Sequence, residues 1–438
     1  MPDLAELLDV LTFRAGFNTS LVVAGTALLG LAAGVVGVFA LLRQRALMAD
    51  ALSHATLPGI AIAFLAAGAL GAQGRTLPVL LIGGAISGVL GVVCVQAMLR
   101  HTRLREDAAI GIVLSVFFGV GIVALSYIQA HAPAGSAGLT RFIYGQAATM
   151  QPSDVRLMGT IAAIAILCTL LLLKEFALVC FNDAFAKVDG WPISFIDLAM
   201  MALVVLVTVA GLQAVGLILV VALLIIPPVA ARFWTDRLWA LVLLAGGLGA
   251  LSGYLGSVLS ALLPRQPAGA VIVLTAGAIF AVSMIFAPAR GVLASSIRRL
   301  RLRLRIAGEH LLEAAHDENA VELTPDRIGR VARLRGWSSP FRILVLASLR
   351  RQGLTRTAPS GLVLTAPGVD RGAQVSRKHA LWAQYLISYA DVAPSHVDWS
   401  VDQVEHVLSP ALVAELESKL ASRGITVPPP PSTHGANA

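Results

Sequence analysis

Residues 47–68 read LMADALSHATLPGIAIAFLAAG, and about 20 apolar residues are enough to cross a bilayer. The run nevertheless carries Asp50 and His54 near one end, with Pro58 and Gly59 following. In a helix, positions i and i+4 share one face about 6 Å apart along the axis. The carboxylate and the imidazole are therefore neighbours, and Ser53 sits on an adjacent edge. Ionisable groups are costly in hydrocarbon and mark functional positions there. Three readings are open at this point: an Asp–His hydrogen-bonded pair that orients the helix end, a proton relay, or an oxygen–nitrogen ligand pair for a divalent transition metal. Pro58 and Gly59 favour a bend that would open this face toward a cavity.

Around this stretch the composition settles the class. Of 438 residues, 57% are hydrophobic and only 13% charged, and the mean hydropathy is +0.80. That excludes a water-soluble enzyme and indicates an integral membrane protein. Apolar runs at 19–42, 47–72, 77–98, 106–130, 154–179, 194–213, 214–233, 238–262 and 268–288 predict about nine transmembrane helices, the sixth and seventh hard to separate. Beyond residue 289 the composition changes abruptly. The expected organisation is a transmembrane domain over 1–291, a basic linker over 292–302, a soluble domain over 303–425 and a disordered tail over 426–438. The fold class is thus an all-α polytopic membrane protein with a C-terminal domain.

Part of the net charge of +8 lies in SIRRLRLRLR, residues 296–305. At a membrane exit such a run marks the cytoplasmic side and the anionic lipid surface. Placing it inside puts Arg43, Arg45, Arg100, Arg103, Arg105, Lys187, Arg232 and Arg237 in the cytoplasm, and Arg14, Arg75, Arg141, Arg156 and Arg265 outside. The N-terminal MPDLAELLDVLTFRAGFNTS lacks a basic n-region and a cleavage site, and reads as a retained interfacial helix. Cys94, Cys168 and Cys180 are widely spaced, which supports neither a disulfide framework nor a thiolate metal site. Small residues are frequent, as in GTALLGLAAGVVGVFA (25–40) and LLIGGAISGVLGVV (80–93). They let helices approach closely in a bundle, although a compositional origin is open for any single glycine.

Two breaks stand out. In LVCFNDAFAKVDGWPISF (178–195), Asn182 and Asp183 can cap a short helix that ends at Gly190. Such a helix could dock into a partner, or be a plain polar connector. In LLIIPPVAARFWTDR (223–237), Pro227 and Pro228 remove two backbone donors and should break or kink the helix. Carbonyls freed at membrane depth are tolerated only where protein or water meets them, so this stretch should line a pathway or a packed interface.

The segments LLRQRALMADALSHATLPGIAIAFL (41–65), GLILVVALLIIPPVAARFWTD (216–236) and LSGYLGSVLSALLPRQPAGAVIVLTAGAIFAVSMIF (251–286) resemble, in order, the permease subunit of metal-type ABC importers for zinc, manganese and iron. The resemblance runs over about residues 15–291. It implies a bacterial inner (cytoplasmic) membrane, a second permease copy or paralogue, cytoplasmic ABC ATPase subunits and an extracytoplasmic metal-binding protein. It assigns Asp50 and His54 to the metal pathway, and the 181–190 region, with Asn182, Asp183, Ala186 and Gly190, to ATPase coupling. No G-x-x-x-x-G-K-[ST] sequence occurs, so a separate subunit hydrolyses ATP and this chain is a transport subunit rather than an enzyme. No permanently bound cofactor is expected. The divalent metal, manganese first and then iron or zinc, is substrate.

In the C-terminal part, TPDRIGRVARLRGWSSPFRILVLASLRRQGLTRTAPSGLVLTAPG (324–368) reads as helix, turn, helix and two-stranded wing, a winged-helix pattern. APGVDRGAQVSRKHALWAQYLIS (366–388) and HVDWSVDQVEHVLSPALVAEL (396–416) resemble the dimerisation and metal-sensing half of the iron- and manganese-dependent, diphtheria-toxin-repressor-like family. Carried over residue by residue, His310, Glu313, His379, Asp402, Glu405 and His406 would be regulatory metal ligands. Ala383 stands where that family places a glutamate, and Asp398 where it places a histidine. A dimerisation or docking module with a decayed site is the competing reading. Arg342, Arg350 and Arg351 are outweighed in the recognition helix by Ile343, Leu344, Val345 and Leu346, so DNA is not an expected partner. At the level of the whole chain, a metal–proton secondary transporter and a membrane-tethered metal-dependent regulator are the alternatives.

Overall fold

The computed structural model describes residues 9–10, 12, 14, 16–43, 45–69, 77–131, 150–263, 266–359, 361–389 and 410–422. Most of the N-terminal segment, the loops with Arg75, Arg141 and Arg265, and residues 423–438 lie outside them. Two compact units, 1–294 and 295–438, divide the chain.

The described part of the first unit is helical: α1 (Phe17–Leu42), α2 (Ala46–Ala69), α3 (Leu77–His101), α4 (Glu106–His131), α5 (Pro152–Leu171), α6 (Leu173–Phe181), α7 (Asp183–Val188), α8 (Ile193–Val215), α9 (Leu217–Arg232), α10 (Leu238–Leu262) and α11 (Ala268–Phe286). Among the described residues eight helices are long and apolar enough to cross a membrane. The expected ninth is α9, which has 16 residues and a length of about 24 Å, short of the roughly 30 Å hydrocarbon core. Gly216 separates it from α8 at φ 87° and ψ 168°, a backbone region that essentially only glycine reaches. That single residue resolves the sixth and seventh runs. Helix α9 packs against α1, α8, α10 and α11.

Close helix crossings explain part of the glycine content. A Cβ on Gly30 would stand 2.1 Å from the Gly249 carbonyl oxygen, one on Gly34 2.2 Å from that of Ala245, and one on Gly253 2.3 Å from that of Thr26. These four-residue steps run in opposite directions along α1 and α10, so the two helices meet antiparallel, backbone to backbone. The Thr26 hydroxyl bonds the Gly253 carbonyl at 3.1 Å and lies 2.7 Å from the Ser257 hydroxyl. Helices α2 and α3 repeat the device. Gly59 lies against the Gly83 carbonyl, and the Ser87 hydroxyl donates to the Ala55 carbonyl at 2.6 Å. Gly111, Gly119, Gly247 and Gly277, by contrast, meet nothing within 4 Å.

Helix α9 runs through Pro227 and Pro228 instead of breaking there. Pro228 cannot donate to the Leu224 carbonyl one turn back. A Cβ on Gly37 would lie 2.1 Å from that oxygen, so α1 packs on the freed carbonyl and the stretch belongs to a packed interface.

The second unit holds most of α12 (Val292–Asp317), then β1 (Glu322–Leu323), α13 (Pro325–Leu334), α14 (Ser339–Arg351), β2 (Thr355–Ala358), β3 (Gly361–Leu364), α15 (Ala366–Tyr389) and α16 (Pro410–Ser422). The antiparallel sheet has the order β1-β3-β2, with Thr355 opposite Leu364 and Glu322 opposite Val363. This is the expected winged helix. Its core joins Leu311, Leu312, Ala315, Leu323, Ile328, Val345, Leu349 and Leu364. Residues 292–302, expected as a linker, form the first turns of α12. No glycine or proline interrupts residues 292–307, and Arg and Leu are strong helix formers.

Candidate functional site

On α2, His54 Nε2 lies 3.7 Å from Asp50 Oδ1, with the two side chains 22% and 42% exposed. That is too long for a hydrogen bond, which removes the simple orienting pair from the three readings. The imidazole packs edge-on against Phe118, ring centroids 5.0 Å apart. Its Nδ1 is buried and has no hydrogen-bond partner among the described residues. Pro58, inside the helix, has no N–H for the His54 carbonyl. Ser53 is committed elsewhere, since its hydroxyl donates to the Asp50 carbonyl at 2.6 Å. The face thus offers a carboxylate, an imidazole and a freed carbonyl. Metal sites built by protein side chains need about four donors, and no group of three or more His, Cys, Asp or Glu residues able to hold a metal exists among the described residues.

Helix α7 begins where Asn182 Oδ1 accepts the Phe185 N–H at 2.9 Å. It is followed by Gly190 at φ 81°. Ala186 is buried beneath it, while Phe181, Phe185, Val188, Trp191 and Phe195 are exposed around it. Asp183 is tied to Arg43 at 2.7 Å. That pair leads into an ionic cluster which sequence reasoning missed. Asp197 on α8 is only 4% exposed and Arg45 8%. Asp197 Oδ1 takes Arg43 Nε at 3.1 Å, and Oδ2 takes Arg45 and the Gln96 amide, the latter at 3.2 Å. Arg45 also pairs with Glu106, and Arg43 donates to the Val179 carbonyl at 2.9 Å. The available signal was Asp197 itself, the lone carboxylate of an otherwise apolar helix.

In the second unit, the structure brings His310, Glu313 and His379 together. Glu313 Oε1 is 3.1 Å from His379 Nδ1, and Oε2 is 3.7 Å from His310 Nδ1. Burial pushes the Glu313 carboxyl up, but the two imidazoles of His310 and His379 beside it outweigh that and hold the group down to about 2. The same helices, α12 and α15, are also joined by Arg371 to Glu309 and by the Ser376 hydroxyl to Asp317 at 2.9 Å. Asp398, Asp402, Glu405 and His406 lie outside the described residues. On α14, Val345 and Leu349 are core residues, whereas Ile343 and Leu344 are exposed. An apolar outer face has few groups with which to read base edges.

The sequence pattern of the ABC 3 transport family matches residues 18–287. That of the iron dependent repressor, metal binding and dimerisation domain matches residues 365–423. The chain is 38% identical over 377 residues to the manganese transport system membrane protein MntC of Bacillus subtilis, covering 86% of each chain. That match is longer than the first unit, so it extends into the second. It is 45% identical over 283 residues to the zinc transport system membrane protein TroC of Treponema pallidum, covering 65% of this chain and 93% of that one. A solved structure, PsaBC from Streptococcus pneumoniae in complex with Fab, is similar with a TM-score of 0.56 and 30% identity, covering 66% of this chain and 98% of that one.

Proposed function

Because this chain belongs to the ABC 3 transport family, a family of multi-pass membrane permeases, we propose that it carries a divalent transition metal into the cytoplasm as the permease of an ABC importer. Manganese is the first candidate and iron or zinc follow, in keeping with the names of its relatives. The observation that carries the reading is the Asp50/His54 pair, 3.7 Å apart with an unpartnered buried Nδ1. Two copies of the pair, from this chain and a second permease, would offer two carboxylates and two imidazoles, a donor set suited to these ions. Metal would arrive from an extracytoplasmic binding protein. The exposed apolar side chains around α7 would seat a cytoplasmic ATPase subunit, with Asn182 and Gly190 fixing the ends of that short helix and Ala186 anchoring it. The C-terminal unit would then be cytoplasmic.

Asp50→Ala and His54→Ala, each in the complex reconstituted with its ATPase in proteoliposomes, should lower Mn2+ uptake by about a hundredfold, as loss of a ligand held in place costs. Membrane insertion and ATPase association should persist. Normal uptake by the double variant would refute the assignment. A secondary transporter would take up metal with no ATP-binding subunit present, so uptake without ATP is the outcome that favours that alternative.

For the second unit we infer metal-linked control of transport. His310, Glu313 and His379 do not by themselves form a metal-holding group, but an acidic oxygen and two imidazoles are donor types that suit Mn2+ or Fe2+. Asp402, Glu405 and His406 would complete the shell. Calorimetry of the full chain against Mn2+, Fe2+ and Zn2+ should show a binding event that Glu313→Ala abolishes and Asp50→Ala leaves in place. Absence of such an event favours a docking module.

A further inference from the structure

We propose that Arg43, Arg45 and Asp197 form a positioning strut that makes α2, with its Asp50/His54 pair, move together with the surface helix α7. The inference rests on the reading of α7 as the helix that seats the ATPase.

Both oxygens of the buried Asp197 carboxylate are engaged, one by Arg43 and the other by Arg45 and Gln96. Arg43 extends the connection outward to the Val179 carbonyl, in the last turn of α6, and to Asp183, the first residue of α7. Arg45 extends it to Glu106 at the start of α4. The cluster thus meets the ends of α1, α3 and α6 and the starts of α2, α4, α7 and α8.

Burying such a network is poor value for stability, because desolvation offsets the Coulombic gain. What it does supply is geometry. Each guanidinium is a rigid fork with fixed donor directions, and in a site with little water the pairs hold that geometry tightly. The elbow between α1 and α2 is closed by backbone bonds as well: Arg45 N donates to the Ala40 carbonyl at 2.8 Å, and Met48 N to the Arg45 carbonyl at 2.9 Å. Met48 is fully buried. From Arg45 to Asp50 is five residues, about 7 Å of helical rise. A displacement of α7 therefore reaches the ligand pair through Asp183, Arg43, Asp197, Arg45 and little more than one turn of helix.

The test compares wild-type complex with Asp197→Asn and Arg43→Gln in lipid nanodiscs, using hydrogen-exchange mass spectrometry with and without vanadate-trapped nucleotide. In wild type, trapping should alter exchange both in 183–190 and in 46–56. Each variant should keep the first response and lose the second. In proteoliposomes, Mn2+ taken up per ATP hydrolysed should fall by about tenfold or more, as when one partner of a buried pair is removed. Arg43→Lys keeps the charge but cannot bridge Asp183 and Asp197 at once, so it should fall nearly as far. If Asp197→Asn does not co-purify with the ATPase subunit, Arg43→Gln decides, because Asp197 keeps Arg45 as its partner there and Asp183 is half exposed. A response at 46–56 that survives in the variants, or that never occurs in wild type, overturns the strut. Failure of the permease reading shows separately, as a wild-type complex that takes up neither Mn2+, Fe2+ nor Zn2+ while the exchange response is intact.

Discussion

Two carboxylate–imidazole arrangements in this protein differ in how many helices build them. Asp50 and His54 stand too far apart to bond each other, and the imidazole keeps a buried nitrogen without a partner. Glu313 instead faces two imidazoles from two helices. The i, i+4 spacing of the first pair was legible in the sequence because one helix carries both residues. The approach of His310 to His379 was legible only through family resemblance, since 69 residues separate them along the chain. Glu313 also makes a pH prediction for the metal-free protein. Its carboxyl is depressed from 4.5 to about 2, so its contribution is complete above the ordinary carboxylate range and fades as pH falls from about 4.5 toward about 2. Glu313→Gln should lower the stability of the second unit at neutral pH by about 1–3 kcal/mol and flatten that acid limb. Denaturant midpoints of α12 and α15, read by hydrogen exchange in the full-length protein, check both effects.

At the scale of elements, the α1–α10 crossing is the most extensive helix contact among the described residues of the first unit. At Gly30 an added Cβ meets backbone, which cannot rotate away as a side chain could. Gly30→Val should therefore destabilise the protein by about 1–3 kcal/mol through forced helix separation. Gly119→Ala, which meets open space, should stay within about 0.5 kcal/mol. Thermal denaturation in detergent, with aggregation as the readout, distinguishes the two. Composition alone could not sort these glycines, because the sequence does not say which face of a helix a neighbour approaches. The same limit explains α9. Its apolar run was visible, but its start depended on Gly216 adopting a positive φ, and the close approach of α1 at Pro228 depended on Gly37.

The whole molecule joins two units whose fates should be separable. The family match ends at residue 287, and the TroC relative is 93% covered by a match to 65% of this chain, so a permease of this kind exists without most of the second unit. A chain ending at Ala294 should insert, associate with its ATPase and transport Mn2+ within about twofold of the full chain, while losing inhibition by high internal metal, the coupling that a second site supplies. Vesicle uptake with and without Mn2+ preloaded in the lumen measures this. Uptake abolished by the truncation would assign the second unit to assembly instead. The sequence by itself determined the membrane class, the approximate run of spans, the i, i+4 spacing of Asp50 and His54 and the winged-helix pattern. All of these are written in local composition and in spacings within one element. Only the tertiary structure decided which glycines carry crossings, that Glu313 stands between two histidines, and that Arg43 and Arg45 are not solvated loop charges but partners of a buried Asp197. The last of those facts depends on residues 152 and 154 positions apart, and close packing of the helices is what brings them within hydrogen-bonding distance.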